Sequence, residues 1–326
     1  MSSVPTVAAG REPDAVPTLP SAPEPEQVHG PVIDWFHDQK RDLPWRRPEC
    51  TPWGVFVSEV MLQQTPVNRV APRWEEWMQR WPTPAACAEA PTSAILTVWD
   101  RLGYPRRALR LQQAAAAMVE KHGGEVPGTR DQLRALPGVG EYTAAAVACF
   151  AFEQPEVVVD TNIRRVLVRV FDARPLAGKT YTAAQRRLAH DAFPDPDLDD
   201  GGVACAWNIA SMELGSLVCT SKSPKCGICP VRDMCAWRAA GSPAPTEEQK
   251  TRGQAWHGTD RQVRGALMTL LRDASASGEH LSEDALLEAL PLPETSSEQR
   301  RRCLQSLLQD GLAQKSAGKI ALPGTF

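Results

Sequence analysis

Apolar residues recur at intervals of three and four from about Val32 to about residue 240, and the alternating β-branched runs that mark strands are almost absent. The pattern predicts an all-α region of about ten helices with no internal repeat. Helix ends are well marked. Thr65-Pro66 reads as a cap followed by proline at the first helical position, and Tyr104-Pro105 again puts proline at a helix start. His122-Gly123-Gly124 closes the preceding helix, and Thr129 can cap the next. Residues 1–28 are rich in Pro, Ala, Ser and Glu without apolar periodicity, as expected of a disordered tail. Residues 241–260 are polar and linker-like. Helical patterns return at 262–273, 282–289 and 296–309, and a segment around Leu312–Leu322 suits a hairpin. Residues 261–326 therefore read as a winged-helix module or as a plain helical appendage.

Composition narrows the class. The chain has 326 residues, enough for two domains and a smaller third, and at 42% hydrophobic and 23% charged it is not broadly disordered. No apolar run approaches the roughly 18 residues of a membrane span, and the N-terminus lacks a signal-peptide pattern, so a cytoplasmic protein is expected. The net charge of -3 is not that of a simple polyanion binder. Basic residues nevertheless gather at Arg106, Arg107 and Arg110, at Arg164, Arg165 and Arg169, and at Lys222 and Lys225, while acidic ones gather at 195–200 and 279–298. A local basic face suffices for a short duplex, so charge decides nothing.

Nine cysteines in a cytosolic chain argue against disulfides, and four fall in one loop spaced Cys219-x6-Cys226-x2-Cys229-x5-Cys235. Structural zinc usually takes two separated Cys-x2-Cys knuckles, whereas one compact, unevenly spaced loop better suits a cubane cluster with a ligand at each of four irons. Lys222 and Lys225 in that loop could meet phosphates or be ordinary solvated surface. Upstream, Leu136-Pro137-Gly138-Val139-Gly140 lies between two helical segments. A turn with two glycines presents successive N–H groups at a helix start, which can bind a phosphate without regard to sequence.

Two carboxylates stand in unlike settings. Glu59 lies in Val55-Phe56-Val57-Ser58-Glu59-Val60-Met61-Leu62, an apolar helix in which burial should raise its pKa. Asp160 follows Val157-Val158-Val159 at the start of the next helix, where N–H donors and the dipole favour the ionised form. Each has an ordinary alternative: Asp160 as a helix cap only, Glu59 as a surface position.

These motifs together carry a resemblance. The cysteine spacing resembles the iron–sulfur loop of the endonuclease III and MutY glycosylases, and the glycine turn is similar to their helix–hairpin–helix. Ser58-Glu59-Val60-Met61-Leu62-Gln63-Gln64-Thr65 resembles the MutY signature almost residue for residue, and Val159-Asp160-Thr161-Asn162-Ile163-Arg164-Arg165-Val166 matches the segment carrying its aspartate. The resemblance spans roughly residues 30–238. It implies the two-domain helix–hairpin–helix glycosylase fold, with a six-helix domain at 51–158, an iron–sulfur helical domain from 29–50 and 159–240, and one [4Fe–4S] cluster. The implied partner is double-stranded DNA carrying A·8-oxoG or A·G mispairs, bound by a monomer associated with the nucleoid. The implied activity is hydrolysis of the N-glycosidic bond of adenine, with Glu59 protonating the base, Asp160 stabilising the sugar cation, and Tyr142 and Asn162 assisting.

The same resemblance places Gln63, Gln64 and Tyr104 in the duplex at the flipped base, although Tyr104 could be a core aromatic. It places Leu136, Gly138, Val139, Gly140, Lys222 and Lys225 on the backbone, and Arg41, Trp45, Arg46 and Glu213 at the adenine pocket. Lyases of the superfamily carry a lysine at the second position of the helix after the hairpin; here Tyr142 stands there, and a phenol forms no Schiff base, so a monofunctional enzyme is expected. Two departures stand out. Asn208-Ile209 stands where many relatives read Asn-Gln before the Met-Glu-Leu-Gly segment, which removes a polar side chain near the base, and residues 261–326 are too short and helical for the Nudix-like domain that reads 8-oxoguanine in many MutY proteins. The rivals are a thymine–guanine mismatch glycosylase, disfavoured by the Gln63-Gln64 pair, and a non-catalytic iron–sulfur DNA-binding protein.

Overall fold

The computed structural model describes residues 22–247, 249 and 256–326. Its helices are α1 (Pro25–Gln39), α2 (Pro52–Leu62), α3 (Val67–Arg80), α4 (Pro84–Glu89), α5 (Thr92–Trp99), α6 (Arg106–His122), α7 (Arg130–Arg134) and α8 (Glu141–Phe152). They continue with α9 (Thr161–Phe171), α10 (Ala183–Asp191), α11 (Gly202–Leu217), α12 (Ala236–Ala239), α13 (Asp260–Ala276), α14 (Glu283–Glu288) and α15 (Ser297–Gln309). The all-α reading holds. Three short strands, β1 (Leu281–Ser282), β2 (Gln314–Ser316) and β3 (Lys319–Ala321), form an antiparallel sheet of order β1-β3-β2 with Ile320 opposite Leu281 and Lys315. Three helices with that sheet give residues 260–326 a winged-helix arrangement. Among the described residues no helix is long and apolar enough to cross a membrane.

Several boundaries differ from the sequence pattern. Residues 1–21 of the expected tail lie outside the described residues, but α1 already starts at Pro25, because Glu24 and Gln27 form a reciprocal capping box ahead of it. Residues 248 and 250–255 of the expected linker also lie outside the described residues. Thr65 does not cap α3: Pro66 holds the cap position, and the buried Thr65 hydroxyl donates instead to the carbonyl of Leu102 at 2.9 Å. Thr129 precedes α7, but its hydroxyl bonds the Gln132 side chain rather than the helix backbone. Seven helices, α2 to α8, occupy the stretch expected to hold six, the short α4 and α7 included.

Burial divides into two apolar clusters. One gathers Trp53, Phe56, Met61, Trp77, Trp99, Leu111 and Met118, and Leu267, Leu271, Leu304 and Leu312 of the C-terminal module join it. The other gathers Val32, Phe36, Val158, Ile163, Leu167, Trp207 and Leu214. Helix α8 serves both. Its Ala144, Val147 and Ala148 belong to the first cluster, and Ala145, Ala146 and Cys149 to the second. A helix apolar on all sides is buried on all sides, so α8 is the wall between the two halves. Its N-terminus, carrying Tyr142, opens at their junction.

Candidate active site

Glu59 reaches the junction from α2. Thr51 caps that helix by accepting the Gly54 N–H, Pro52 starts it, and nine of its eleven residues are buried. Glu59 is only 6% exposed, which removes the surface alternative. Burial pushes its carboxyl up from 4.5 to about 7, against the opposing pull of the Tyr142 hydroxyl, which donates to Oε2 at 3.0 Å. The Asp160 charge pushes the same way as burial, and Arg46 opposes it. Burial, with the charges of Glu59 and Asp160, holds the Tyr142 phenol well above its ordinary 10, so it stays a neutral donor.

Asp160 reaches the same place from the second half. It is the N-cap of α9, with Oδ1 accepting the Ile163 N–H and Oδ2 accepting from Asn162 Nδ2, both at 2.7 Å. The expectation that donors and dipole would dominate is corrected. Burial outweighs the hydrogen bonds and the Arg165 charge, and the carboxyl lies above its ordinary 3.8. Asn162 in turn accepts from Arg165 at 2.7 Å, so the side chain that orients Asp160 is itself fixed. Gly215 of α11 makes this possible by close approach: a Cβ there would lie 2.7 Å from Asn162 Cβ and 2.8 Å from its carbonyl oxygen. Backbone cannot yield cheaply, so Gly215→Ala is expected to cost about 1–3 kcal/mol and to lower the melting temperature measurably.

Beside the pair, Glu213 is wholly shielded and receives a fork from Arg41, Nε to Oε1 at 2.7 Å and Nη2 to Oε2 at 2.6 Å, with Arg46 Nη2 at 3.1 Å. Burial would push the Glu213 carboxyl up, but the two guanidiniums outweigh it and bring it down to about 2. Arg46 Nη1 is buried with no hydrogen-bond partner among the described residues. Trp45 is buried in the first cluster, in an edge contact with Trp74 at 5.9 Å between ring centroids. Asn208, beside the Ile209 departure, ties down the segment leading to Asp160: Oδ1 accepts the Val158 N–H and Nδ2 donates to the Glu156 carbonyl.

The expected DNA-facing residues divide in the same way. Gln63 is half-buried and donates to Thr143 at 3.2 Å, whereas Gln64 is exposed at φ 56°. Tyr104 is 49% exposed at φ 46°, so it is not a core aromatic. In the hairpin, Gly138 needs its φ of 77° and would place a Cβ 2.7 Å from Arg110, and Gly140 leads into α8 without a side-chain cap. The hairpin Leu136 is buried at 3% exposure, so its side chain anchors the turn rather than meeting a ligand. Lys222 and Lys225 are exposed.

Cys219, Cys226, Cys229 and Cys235 line one cavity, walled by Val166, Val170, Leu214 and Val218. Among the described residues no three His, Cys, Asp or Glu side chains converge as the ligands of a single ion would, and four sulfurs around a wider apolar space fit a cluster better than zinc. The arginines at 164, 165 and 169 form no basic face. Arg165 donates to the carbonyls of Cys219 and Gly215, and the buried Arg169 to the Cys219 sulfur and the carbonyls of Pro175, Thr220 and Ser221. They fasten the cysteine loop to α9, a role that the sequence pattern did not signal.

The comparisons agree with this geometry. Residues 57–190 match the helix–hairpin–helix superfamily base excision DNA repair proteins, and residues 219–235 match the iron–sulfur binding domain of endonuclease III. The adenine DNA glycosylase of Mycobacterium tuberculosis is 45% identical over 310 residues, covering 93% of this chain and 97% of that protein. A solved thermostable thymine-DNA glycosylase has a TM-score of 0.58 at 26% identity, over 66% of this chain and 96% of the other. An endonuclease III trapped as a covalent intermediate with DNA shares the fold, with a TM-score of 0.54 at 22% identity over 67% of this chain and 99% of the other. The chain belongs to the adenine DNA glycosylases, enzymes of the helix–hairpin–helix base-excision repair superfamily that act on DNA and carry a [4Fe–4S] cluster.

Proposed function

We propose that this enzyme removes adenine from A·8-oxoG and A·G mispairs by hydrolysis alone, as a monomer, with Glu59 as acid and Asp160 as the stabilising anion. The observation that carries it is the Glu59 carboxyl, buried, held near pH 7 and hydrogen-bonded to Tyr142 at the mouth of the junction. An acid poised at neutrality is what a departing purine requires. Glu59 gives its proton to N7 of the flipped base. The C1′–N9 bond then breaks, with its electron pair leaving on N9. Asp160, fixed by Asn162 and the Ile163 N–H, faces the sugar cation that develops. A water adds at C1′, and Glu59, now ionised, takes its proton back. Tyr142 occupies the position where a lyase carries its lysine, and as a neutral phenol it orients Glu59 rather than attacking the sugar.

The remaining site residues then fall into place. The Arg41–Glu213–Arg46 group walls the adenine pocket, and the unpartnered Arg46 Nη1 is a donor that a ring nitrogen of the base would satisfy. Gln63 and Gln64 fill the gap left by the flipped base, Tyr104 enters the stack, and the Gly138–Gly140 turn with Lys222 and Lys225 holds phosphates. Cys219, Cys226, Cys229 and Cys235 would hold the cluster, which would order the loop that Arg165 and Arg169 fasten to α9, the helix capped by Asp160.

Single-turnover assays on duplexes carrying 8-oxoG·A, G·A, G·T and thymine glycol, with and without alkali, test this reading. Adenine release from the first two, with strand breaks only after alkali, is expected. Thymine release would overturn the substrate assignment, and a borohydride-trapped adduct would overturn the hydrolytic one.

A further inference from the structure

Two ion-pair groups bracket the Tyr104 turn, and both run into the C-terminal module. Before the turn, Asp100 receives Arg73 of α3 at 3.1 Å, and Arg272 of α13 lies 3.9 Å from its other oxygen. After the turn, Arg106 at the start of α6 lies 3.4 Å from Asp310, which Arg264 of α13 holds at 2.6 Å. Arg272 and Asp310 are largely shielded, with 11% and 19% of their side chains exposed, so water screens the Arg272–Asp100 and Arg264–Asp310 contacts less than surface pairs, while Arg106 joins from a more exposed position. Apolar packing runs alongside, since Leu267, Leu271 and Leu304 share one cluster with Trp99 and Leu102, and α13 packs on α5.

The turn has reason to need such support. Asp100 and Tyr104 both adopt positive φ, 41° and 46°, although neither is glycine. Such conformations persist only where the surroundings over-determine them. On the other side, Arg107 ties the turn to the Glu59 helix. Its guanidinium donates to the carbonyls of Leu102 and Gly103 and to those of Val60, Met61 and Gln63. Meanwhile three basic residues of the winged-helix module are engaged within it. Arg300 bonds Thr295 and the carbonyls of Leu287 and Leu292, Arg302 pairs with Asp260, and Lys315 pairs with Glu283.

We propose that residues 260–326 are a brace for the Tyr104 turn, governing how readily a mispair is opened rather than how tightly duplex is held. This rests on the reading of Tyr104 as the inserted side chain. The test uses the full-length protein with Arg272→Met and Asp310→Asn together, which leaves net charge unchanged. The probe is an A·G duplex with 2-aminopurine beside the adenine. The fluorescence gain on opening and the single-turnover rate should each fall about tenfold, within the range of ordinary site-to-site couplings. Affinity for a fully paired duplex should stay within about twofold of wild type, because no phosphate contact is lost.

In a Tyr104→Ala background the same two substitutions should slow excision no further. Additive losses there, or wild-type opening and rate in the double variant, overturn the proposal. Asp310→Glu keeps the charge and should open the mispair normally; a loss equal to that of Asp310→Asn overturns it as well. If the double variant does not fold, Asp310→Asn alone carries the comparison. Normal opening by Tyr104→Ala, by contrast, would remove the insertion reading, and the brace with it.

Discussion

Replacing Glu59 with glutamine is expected to slow single-turnover adenine release by about three orders of magnitude, within the range for a positioned general acid, while duplex binding survives. The amide keeps the shape and accepts the Tyr142 hydrogen bond but has no proton of suitable acidity to give. The wild-type profile carries the same signature. With the carboxyl titrating at about 7, the acid form prevails below that pH and is lost above it, so the rate should fall as pH rises through 7. The glutamine variant's residual rate should be flat there.

The same substitution should raise stability where it lowers the rate. A carboxyl raised from 4.5 to about 7 binds its proton more tightly folded than unfolded. Its contribution to stability is therefore full below pH 4.5 and is lost progressively up to about 7. Above that, the wild type carries a buried charge that the amide lacks. Glu59→Gln should accordingly be more stable to unfolding at pH 8 by up to about 3 kcal/mol, with little difference at pH 4. A variant that excises at the normal rate would dismiss Glu59 as the acid.

The second large effect is expected at Glu213. Glu213→Gln removes the charge that two guanidiniums converge on, leaving Arg41 and Arg46 facing each other without compensation. Breaking a buried pair from one side costs about 3–5 kcal/mol, a loss read directly in denaturant melts. The pH dependence has the opposite sign to that of Glu59. A carboxyl lowered from 4.5 to about 2 lends stability that is present above pH 4.5 and fades as pH falls toward 2. The variant should lack that acid-limb transition. Equal acid sensitivity in both proteins would mean that the Arg41–Glu213–Arg46 group is not what holds this wall.

The parts of the site legible in the chain were those with local signatures. Cysteine spacing, glycine turns and a lone carboxylate in an apolar helix each announce their chemistry within a dozen residues. What was not legible depends on long-range packing. Nothing local distinguishes Arg107, which gathers carbonyls from two turns, from its neighbours Arg106 and Arg110. Arg165 and Arg169 of α9 looked like part of a basic patch because their acceptors in the cysteine loop lie some 50 residues away in sequence. Leu136 carried the right residue type for contact, yet its side chain was claimed by the core. The raised Asp160 carboxyl was missed for a related reason: a cap position declares its donors, but the depth at which the cap is buried is a property of the whole fold.

Helix α8 has a consequence of its own. The proposed acid belongs to a helix on one side of it and the proposed anion to a helix of the other half, and much of the face that α8 turns to each half is alanine. Small side chains there let the two halves lie close together where the carboxylates arrive. An added methylene at Ala145 or Ala146 would press on the second cluster without touching either group. Selection can therefore adjust how the two halves sit against each other in increments far finer than any change of the reacting residues themselves would allow.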